Sequence, residues 1–488
     1  MLLKELLLEV PGIVEVRGNQ ETDIGTLSIN SREKAARGLF FCIPGAKYDA
    51  HDFAPQAVEN GCVALVVSRF LDHVPVPQVQ AENVRSAMAY IAGAFFGHAD
   101  RQLRLMGVSG TKGKTTTSYL LKAILEKAGF KVGLIGTTGN MIGNEHVKSN
   151  LTTPDPIDLH RCFRQMADAG VQAVSMEVSA HAIDMHRLDG LTYEAACYTN
   201  LSQDHLDYFH TMENYFETKK SFFMHGQVLN AALNADEETT ASILEDLKIP
   251  YLTYGISENA DLFAREIEIS ENGVDFSIQL RGVEEMEVHM QMTGMFNVYN
   301  ALAAASLAMI VGVDKEAIRE GLRSVKAVPG RIEMLDTGTP FKVILDYSHS
   351  PDALENILTT VRMFTKKRVI VLFGCGGDRD HGKRPLMGEI GGRLADFSIL
   401  TSDNPRTENP EAILDAIEEG MKLTKGKYTI IENRREAIRY ALAMGREGDV
   451  IILAGKGHET YQDVMGVKRP FDEKVVVNEL LEEMRGQC

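Results

Sequence analysis

The segment Met106–Thr116 constrains the fold of this chain more than any other part of the sequence. It follows a short apolar run and precedes a segment in which Leu120, Leu121, Ile124 and Leu125 fall on one helical face. This order of strand, glycine-rich turn and helix is typical of a loop that binds phosphate. Glycines let backbone N–H groups face phosphate oxygens, and the helix N-terminus adds positive potential. The pattern predicts a nucleotide triphosphate site on an α/β sheet.

The turn departs from the common phosphate-loop motif at one position. Val108 stands where that motif has its first glycine, so we predict a loop of variant type. Lys114 is expected to reach the outer phosphates, and the hydroxyl of Thr115 is expected to bind Mg²⁺. The predicted nucleotide contacts in the loop are Gly110, Thr111, Lys112, Gly113, Lys114, Thr115 and Thr116.

Length, charge and cysteine content exclude several classes of protein. A chain of 488 residues predicts about three domains, and its 44% hydrophobic content is typical of a soluble globular protein. The net charge of −17 argues against a broad nucleic-acid surface. The six cysteines are scattered, which fits a reducing cytoplasm. Met1–Glu9 predicts an amphipathic helix and not a signal peptide, and no apolar run is long enough to span a bilayer.

Strand and helix patterns predict an α/β fold of three domains. Residues 1–100 are expected to form a small α/β domain. Residues 101–328 carry the phosphate loop on a mainly parallel sheet, and alternation over Ala264–Met292 indicates antiparallel additions. Residues 329–488 alternate strands with helices, as in a doubly wound domain of Rossmann type. Ligands of such sheets bind at the carboxyl ends of the strands.

Two potential metal ligands follow successive predicted strands of the second domain. Glu177 leaves the strand predicted at 173–178, and His205 follows the strand predicted at 195–199. A lone Glu or His is more often structural, but two such groups beside a phosphate loop favour a Mg²⁺ site. A lysine pair that begins at Lys219 follows in a helical pattern, and by itself it would be a solvated pair.

Together these motifs resemble the Mur ligase family, ATP-dependent enzymes that build the peptide of the bacterial cell wall. The resemblance covers essentially the whole chain and includes Gly110–Thr116, Met176–Ser179 and Asp204–Asp207. It implies that Lys219 is carbamylated by CO₂. A carbamate would offer Mg²⁺ an anionic oxygen, whereas an ammonium would repel the ion. The metal ligands implied by the resemblance are Thr115, Glu177, His205 and carbamylated Lys219.

Three later motifs resemble the family's remaining nucleotide contacts. In Gly294–Asn300, Asn297 and Asn300 are similar to the asparagines on the adenine side of ATP. Arg331 is similar to the hinge arginine that reaches the phosphates, and Asp346 is similar to the residue on the ribose side. The resemblance therefore implies that catalysis depends on Lys114, Lys219 and Arg331.

The segment Asp403–Arg406 is similar to the motif of Mur ligases that add meso-diaminopimelate. Diaminopimelate carries a carboxylate at its far end that lysine lacks. A guanidinium can hold that carboxylate through two parallel hydrogen bonds, and a lysine substrate would leave the guanidinium unpaired. The resemblance implies an amino-acid site formed by Arg379, Asp403, Asn404, Pro405, Arg406, Gly455 and Glu459.

The N-terminal segment resembles the part of the family that receives the sugar nucleotide. The implied contacts to the UDP sugar are Ile29, Ser31, Ala46, Lys47 and Tyr48. The implied contacts to the muramoyl-dipeptide tail are Thr152, Thr153, Ser179 and Arg187. Leu151 and Met185 depart from the family pattern at the dipeptide end, since many relatives carry asparagine and some carry glutamine there.

The resemblance implies a cytoplasmic ligase that joins meso-diaminopimelate to UDP-N-acetylmuramoyl-L-alanyl-D-glutamate with ATP and Mg²⁺. We expect a monomer with no nucleic-acid partner. The same ligase adding L-lysine remains an alternative, and a folate polyglutamate-type ligase is disfavoured by the first domain and by Arg406. A non-catalytic nucleotide-binding protein is the alternative from another class. It would be expected to lack some of the charged residues of the site, which are Lys114, Glu177, His205, Lys219 and Arg331.

Overall fold

The computed structural model describes residues 1–45, 48–149, 151–281 and 285–485. Within them, three β-sheets follow one another along the chain, and a two-stranded hairpin lies near its end. Helices pack on the sheets, so the predicted α/β class is confirmed. The described helices include none that is both long and apolar enough to cross a membrane.

The first sheet lies in the N-terminal part of the chain. Its elements are α1 (Leu3–Leu6), β1 (Ile13–Arg17), β2 (Thr26–Ser28), β3 (Gly38–Phe41), α2 (Ala54–Glu59), β4 (Cys62–Val67), β5 (Gln78–Ala81) and α3 (Val84–Phe95). The strand order is β1-β5-β4-β3-β2, with only β1 antiparallel to its described neighbour. The helix predicted over Met1–Glu9 ends at Leu6, because Pro11 and Gly12 soon force a turn.

The second sheet carries the phosphate loop. Its strands are β6 (Arg104–Ser109), β7 (Val132–Ile135), β8 (Asn140–Ile142), β9 (Glu145–Val147), β10 (Ala173–Val178), β11 (Ala195–Tyr198), β12 (Ala231–Asn234), β13 (Tyr251–Gly255), β14 (Leu262–Ser270), β15 (Gly273–Leu280) and β16 (Glu285–Met290). Its helices are α4 (Lys114–Lys127), α5 (Pro156–Asp168), α6 (Ala180–Asp184), α7 (Leu206–Phe209), α8 (Met212–Met224), α9 (Thr240–Asp246), α10 (Met295–Ile310) and α11 (Lys315–Ser324). The strand order is β16-β15-β14-β13-β12-β11-β6-β10-β7-β8-β9. The antiparallel additions predicted after residue 264 are confirmed as β14–β16.

Strand β6 lies at the centre of this sheet, between β10 and β11, and is parallel to both. Met106 and Val108 pack into the core beside α4 and α10, whereas Leu105 packs into the core on the opposite face. A strand buried on both faces requires a continuous apolar run, which explains the pattern seen in the sequence. The carboxyl end of β6 then delivers the phosphate loop to one edge of the sheet.

The third sheet is doubly wound, as predicted. Its elements are β17 (Glu333–Leu335), β18 (Lys342–Asp346), α12 (Pro351–Phe364), β19 (Val369–Phe373), α13 (Lys383–Leu394), β20 (Phe397–Leu400), α14 (Pro410–Lys422), β21 (Tyr428–Ile430), α15 (Arg434–Met444) and β22 (Val450–Ala454). The hairpin β23 (Tyr461–Val464) and β24 (Val467–Pro470) and the helix α16 (Glu473–Arg485) follow. The order is β17-β18-β22-β19-β20-β21, in which β17 is antiparallel and the other described pairs are parallel.

Candidate active site

The phosphate loop is held by hydrogen bonds from the segment that follows β11. The backbone N–H of Lys112 donates to Asn200 Oδ1 at 2.9 Å, and the Thr199 hydroxyl donates to Lys112 O at 2.7 Å. Gly113 has a left-handed φ of 86°, and a Cβ there would lie 2.4 Å from Asn300 Oδ1. Glycine is therefore required here both by the backbone angle and by the close approach of α10.

Lys114 is turned inward at the start of α4. Its Nζ donates to the carbonyl oxygens of Gly110 and Thr111, each at 2.9 Å. Burial lowers the pKa of Lys114 to about 8, and the nearby Glu177 charge partly opposes that shift. The carbonyl groups hold the ammonium at the loop, where bound phosphate oxygens can replace them as partners.

Glu177 lies at the end of β10 and is 1% exposed. Its Oε2 accepts hydrogen bonds from the hydroxyl groups of Thr115 and Thr137, both at 3.0 Å, and its Oε1 accepts from the Thr137 N–H at 2.9 Å. Arg331 reaches the same group, because its Nη2 donates to Thr115 Oγ1 at 3.3 Å. The structure thus brings together Thr115, Glu177 and Arg331 as the sequence predicted.

The Glu177 carboxylate and the Thr115 hydroxyl are also groups that can bind Mg²⁺. Mg²⁺ is commonly held by one or two carboxylates, a hydroxyl and substrate phosphates, and the Glu177–Thr115 pair beside the phosphate loop supplies the protein part of such a set. Among the residues that the structure describes, no three His, Cys, Asp or Glu side chains form a metal-binding group. The phosphates of a bound nucleotide would supply further ligands.

The two lysines of α8 have opposite environments. Lys219 is 1% exposed, and its Nζ donates to Gly110 O at 2.7 Å and lies 4.7 Å from the centre of the Tyr215 ring. Burial and the neighbouring Lys114 charge lower the pKa of Lys219 well below its usual range. Lys220 instead pairs with Asp246 at 2.6 Å, which raises its pKa. Lys219 is the member of the pair that lies against the phosphate loop.

A cavity of about 590 Å³ separates the phosphate loop from the third sheet. Predicted residues from both sides line it, namely Thr111, Lys112, Gly113, Lys114, Thr115, Thr116, Thr152, Glu177, Ser179, His205, Asn300, Arg331 and Asp346. Asn297 lies behind Asn300 and accepts a hydrogen bond from its Nδ2 at 3.1 Å. Asp346 accepts hydrogen bonds from the Ser348 hydroxyl and, at 2.8 Å, from the Ile332 N–H. Burial raises the pKa of this carboxyl.

Asp204, Tyr347 and His349 are among the cavity residues that were not predicted as site residues. The Asp204 carboxylate accepts a hydrogen bond from Lys112 Nζ at 3.0 Å, and the charge of Lys112 helps hold the pKa of Asp204 well below its usual value. His349 lines the cavity, and burial lowers its pKa to about 3. The Tyr347 ring lies 4.7 Å beneath the Arg331 guanidinium. The motif containing Tyr347 and His349 was visible in the sequence, but its packing against Asp204 and Arg331 was not.

The predicted amino-acid site lies at the carboxyl ends of β19, β20 and β22. Arg406 has a left-handed φ of 50°, and its Nη1 donates to Gly377 O at 2.6 Å. A Cβ on Gly376 would be 2.8 Å from Arg406 Nη1 and 3.9 Å from Arg379 Cγ, so both arginines border one glycine loop. Arg379 also donates to Asp207 Oδ2, on α7, at 3.5 Å.

The other predicted members of this site form a network of hydrogen bonds. Asn404 Nδ2 donates to Glu459 Oε2 at 2.8 Å. Gly455 approaches Asp403 so closely that a Cβ would lie 2.4 Å from its Oδ2. Lys456, which the sequence analysis did not predict as a site residue, donates to Asn404 Oδ1 at 2.9 Å. The residues from the two motifs are therefore joined directly.

The residues predicted to receive the sugar nucleotide fall in two places. Thr153 donates to Glu177 O and Arg187 Nη1 donates to Thr153 O, each at 2.8 Å, so the predicted dipeptide contacts lie beside the loop that holds Glu177. Ser31 donates to Gln56 at 2.8 Å, and Ile29 and Tyr48 are exposed, at a distance from the cavity lining. Ala46 and Lys47 lie outside the described residues. Leu151 is exposed, and Met185 contacts Arg187.

A phosphate loop that faces a Rossmann-type sheet across a cavity is an arrangement typical of nucleotide-dependent enzymes. Residues 108–308 match the family model of the Mur ligase middle domain, and residues 330–457 match that of the Mur ligase glutamate ligase domain. The chain belongs to the Mur ligase family.

Individual relatives extend this match to the whole chain. The UDP-N-acetylmuramoyl-L-alanyl-D-glutamate–2,6-diaminopimelate ligase of Caldanaerobacter subterraneus subsp. tengcongensis is 45% identical over 96% of this chain and 97% of its own length. The protein of that name from Geobacillus thermodenitrificans is 44% identical over 99% of this chain and 100% of its own length. A solved structure of a ligase with the same name covers 99% of both chains at 30% identity and a TM-score of 0.69.

Proposed function

We propose that this protein is an ATP-dependent ligase that adds meso-diaminopimelate to UDP-N-acetylmuramoyl-L-alanyl-D-glutamate. The single observation that carries the proposal is the position of Arg406, which borders the same glycine loop as Arg379 at the ends of the Rossmann-type strands. The Arg406 guanidinium beside this loop suits the distal carboxylate of diaminopimelate, and the aliphatic part of Arg379 borders the same loop. The names of the relatives similar to the full chain support the same reaction.

The proposed reaction has two steps. The γ-carboxylate of the D-glutamate attacks the γ-phosphorus of ATP, which forms an acyl phosphate and releases ADP. The amine of diaminopimelate then attacks the acyl carbon, loses its proton, and expels phosphate as the amide bond forms. Lys114 donates to the phosphate loop and Arg331 donates to Thr115, and both would neutralise the charge that develops on the transferred phosphoryl group.

Mg²⁺ would be held by Thr115, Glu177, His205 and carbamylated Lys219, and it would supply positive charge for the phosphate oxygens. Burial and the nearby Lys114 charge lower the pKa of Lys219 and so favour its neutral form. This supports carbamylation, because only a neutral amine reacts with CO₂. The reaction joins the amine nitrogen to the carbon of CO₂ and releases one proton.

Lys220 offers a matched control for this modification. Lys219→Ala is expected to abolish most activity, whereas Lys220→Ala removes the pair with the exposed Asp246, away from the phosphate loop, and is expected to retain it. Carbon NMR of protein equilibrated with labelled bicarbonate should show a carbamate signal in the wild type that Lys219→Ala lacks. A wild-type spectrum without this signal, or a fully active Lys219→Ala enzyme, would contradict the proposal.

We further propose that residues 1–100 bind the UDP sugar, 101–328 bind ATP, and 329–488 bind the amino acid. Ile29, Ser31, Ala46, Lys47 and Tyr48 are the proposed nucleotide-sugar contacts of the first part. Thr152, Thr153, Ser179 and Arg187 would hold the dipeptide, which places its carboxylate near Glu177. We propose a monomeric cytoplasmic enzyme.

The experiment that tests the reaction measures phosphate release from ATP with the UDP-muramoyl dipeptide and Mg²⁺. Meso-diaminopimelate and L-lysine are offered separately, and the product is weighed by mass spectrometry. Turnover to a tripeptide with diaminopimelate alone is expected. Turnover with lysine alone would overturn the role of Arg406, and no turnover with either would favour a non-catalytic nucleotide-binding protein.

A further inference from the structure

Lys456 is a buried cation at the centre of the proposed amino-acid site. Its side chain is 0% exposed, and it follows β22 in the chain. Its Nζ donates to Asn404 Oδ1 at 2.9 Å and to Tyr461 O at 2.8 Å. It also lies 3.5 Å from Glu459 Oε2 and 3.7 Å from Asp403 Oδ1. Burying an ammonium is costly unless such partners surround it, so its position is closely determined.

One consequence of this contact is the orientation of Asn404. The ammonium can only donate, so the atom of Asn404 that faces Lys456 must be the carbonyl oxygen. The amide nitrogen of Asn404 then points to Glu459 Oε2. Lys456 therefore holds Asn404 in this orientation together with the Asp463 N–H, which donates to the same Oδ1 at 2.9 Å.

Lys456 also changes the net charge of the proposed amino-acid site. Asp403 and Glu459 place two carboxylates where a bound amino acid would present an ammonium group. Burial and the Asp403 charge raise the pKa of Glu459, and Lys456 opposes this shift. Without Lys456, the two carboxylates would lose the cation that they share, although Arg434 still acts on Asp403, and the site would favour ligands of greater positive charge.

We propose that Lys456 is a positioning residue that makes the amino-acid site select a zwitterion of zero net charge over a cationic amino acid. This inference rests on the proposed function. Diaminopimelate carries two carboxylates and two ammonium groups, whereas lysine carries one more ammonium than carboxylates. Lys456 neutralises the carboxylates that would otherwise attract the extra charge, and it aligns Asn404 with Glu459. Arg406 selects the distal carboxylate, and Lys456 adds discrimination by net charge.

The chain offers a matched control, because Lys468 also lies close to the Tyr461 ring. Lys468 Nζ lies 4.2 Å from the Tyr461 ring centre and Lys456 Nζ lies 5.9 Å from it. Lys468 is exposed on β24, so Lys468→Met removes the same charge without touching Asn404 or Glu459. It is expected to behave like the wild type.

The test compares kcat and KM for meso-diaminopimelate and L-lysine in the wild type, Lys456→Met, Lys456→Gln and Lys468→Met. In both Lys456 variants, the ratio of kcat/KM for diaminopimelate to that for lysine is expected to fall about tenfold or more, mainly through KM for diaminopimelate. KM for ATP should be unchanged. Lys456→Gln removes the charge but keeps a donor for Asn404. If Lys456→Met does not fold, the ratio of kcat/KM values is taken from Lys456→Gln.

The outcomes separate this inference from the proposed function. A merely structural role would lower activity with both amino acids by the same factor, and an unchanged ratio in the folded variants would overturn the inference. A wild type that turns over neither amino acid would instead overturn the proposed function. If lysine turnover by the wild type is too slow to measure, lysine is tested as a competitive inhibitor against diaminopimelate. Its inhibition constant then replaces KM for lysine in the comparison.

Discussion

The nucleotide side and the amino-acid side of this enzyme are held in place by different interactions. In the phosphate loop, the Asn200 amide and the Thr199 hydroxyl bond to the backbone of Lys112, and the Lys114 and Lys219 ammonium groups donate to backbone carbonyl oxygens. The amino-acid side is built around buried charges. Arg434 and Glu473 are both 0% exposed in their side chains, and their ion pair lies behind the strand ends that carry the site.

The difference reflects how far apart in sequence the parts of each side lie. The phosphate loop is a continuous segment between β6 and α4, so a few hydrogen bonds suffice to set its shape. The amino-acid side combines loops after three strands that are distant in sequence. Arg434 donates to Ala454 O at 2.9 Å and to Ser402 O at 3.5 Å, and so it links two of those strand ends. Long-range assembly therefore relies on groups that form several strong bonds at once.

The largest expected effect tests the nucleotide side. Lys114→Ala should lower kcat/KM by about 10³-fold or more, because its ammonium is expected to reach the outer phosphates of ATP. Phosphate-release kinetics measure this loss, and thermal unfolding should change little, since Asn200 and Thr199 still hold the backbone of the loop. Lys127→Ala, at the exposed end of the same helix, is the control. A Lys114→Ala protein with near-normal turnover would refute the assigned role.

The second prediction tests whether buried charge stabilises the amino-acid side. Arg434→Met leaves Glu473 without its partner and should lower the free energy of unfolding by about 3–5 kcal/mol. Urea denaturation measures this change. Arg435→Met, which breaks pairs with Glu479 and Glu483 at the surface, serves as the comparison and should shift the midpoint little. Equal shifts of the urea midpoint in the two variants would contradict the proposal that buried charge stabilises the amino-acid side.

The third prediction concerns recognition alone. Arg406→Lys replaces two parallel hydrogen bonds by one point charge and should lower kcat/KM for meso-diaminopimelate by about 10²-fold. KM for ATP should stay constant, because Arg406 lies outside the cavity that faces the phosphate loop. Arg439→Lys, on the outer face of α15, is the control. A parallel rise in KM for ATP would show that the two sides are coupled through this residue.

The smallest expected effect is a pH dependence at the nucleotide side. Partial burial and the neighbouring Lys112 charge lower the pKa of His349 to about 3 in the folded protein, from about 6.5 when unfolded. Between these pH values the unfolded chain binds more protons than the folded one, so the free energy of unfolding falls as pH drops from about 6.5 towards 3. His349→Asn should lose less stability than the wild type between about pH 7 and 5.

Urea midpoints at the two pH values measure this difference in slope. His146→Asn, an exposed histidine, should retain the wild-type dependence. An unchanged slope in His349→Asn would show that other groups account for the acid sensitivity.

Much of the fold could be predicted because its main signals are local. The buried strands β6 and β19 read as apolar runs, and the alternation after residue 264 indicated the antiparallel strands β14–β16. The N-terminal helix was predicted too long, since periodicity continues past Leu6 while the backbone turns before Pro11. Element ends depend on such turns, which hydrophobic patterns do not encode.

For the nucleotide side, the sequence alone determined the loop, the position of Lys114 and the acid Glu177, because each lies within or directly after a recognisable strand. The tertiary structure decided which lysine of α8 reaches the loop, and it placed Asp204 against Lys112. It also joined Lys456 to Asn404. These contacts link residues separated by dozens of positions or more, and their charges are fixed by burial and by neighbours that only the folded chain brings together.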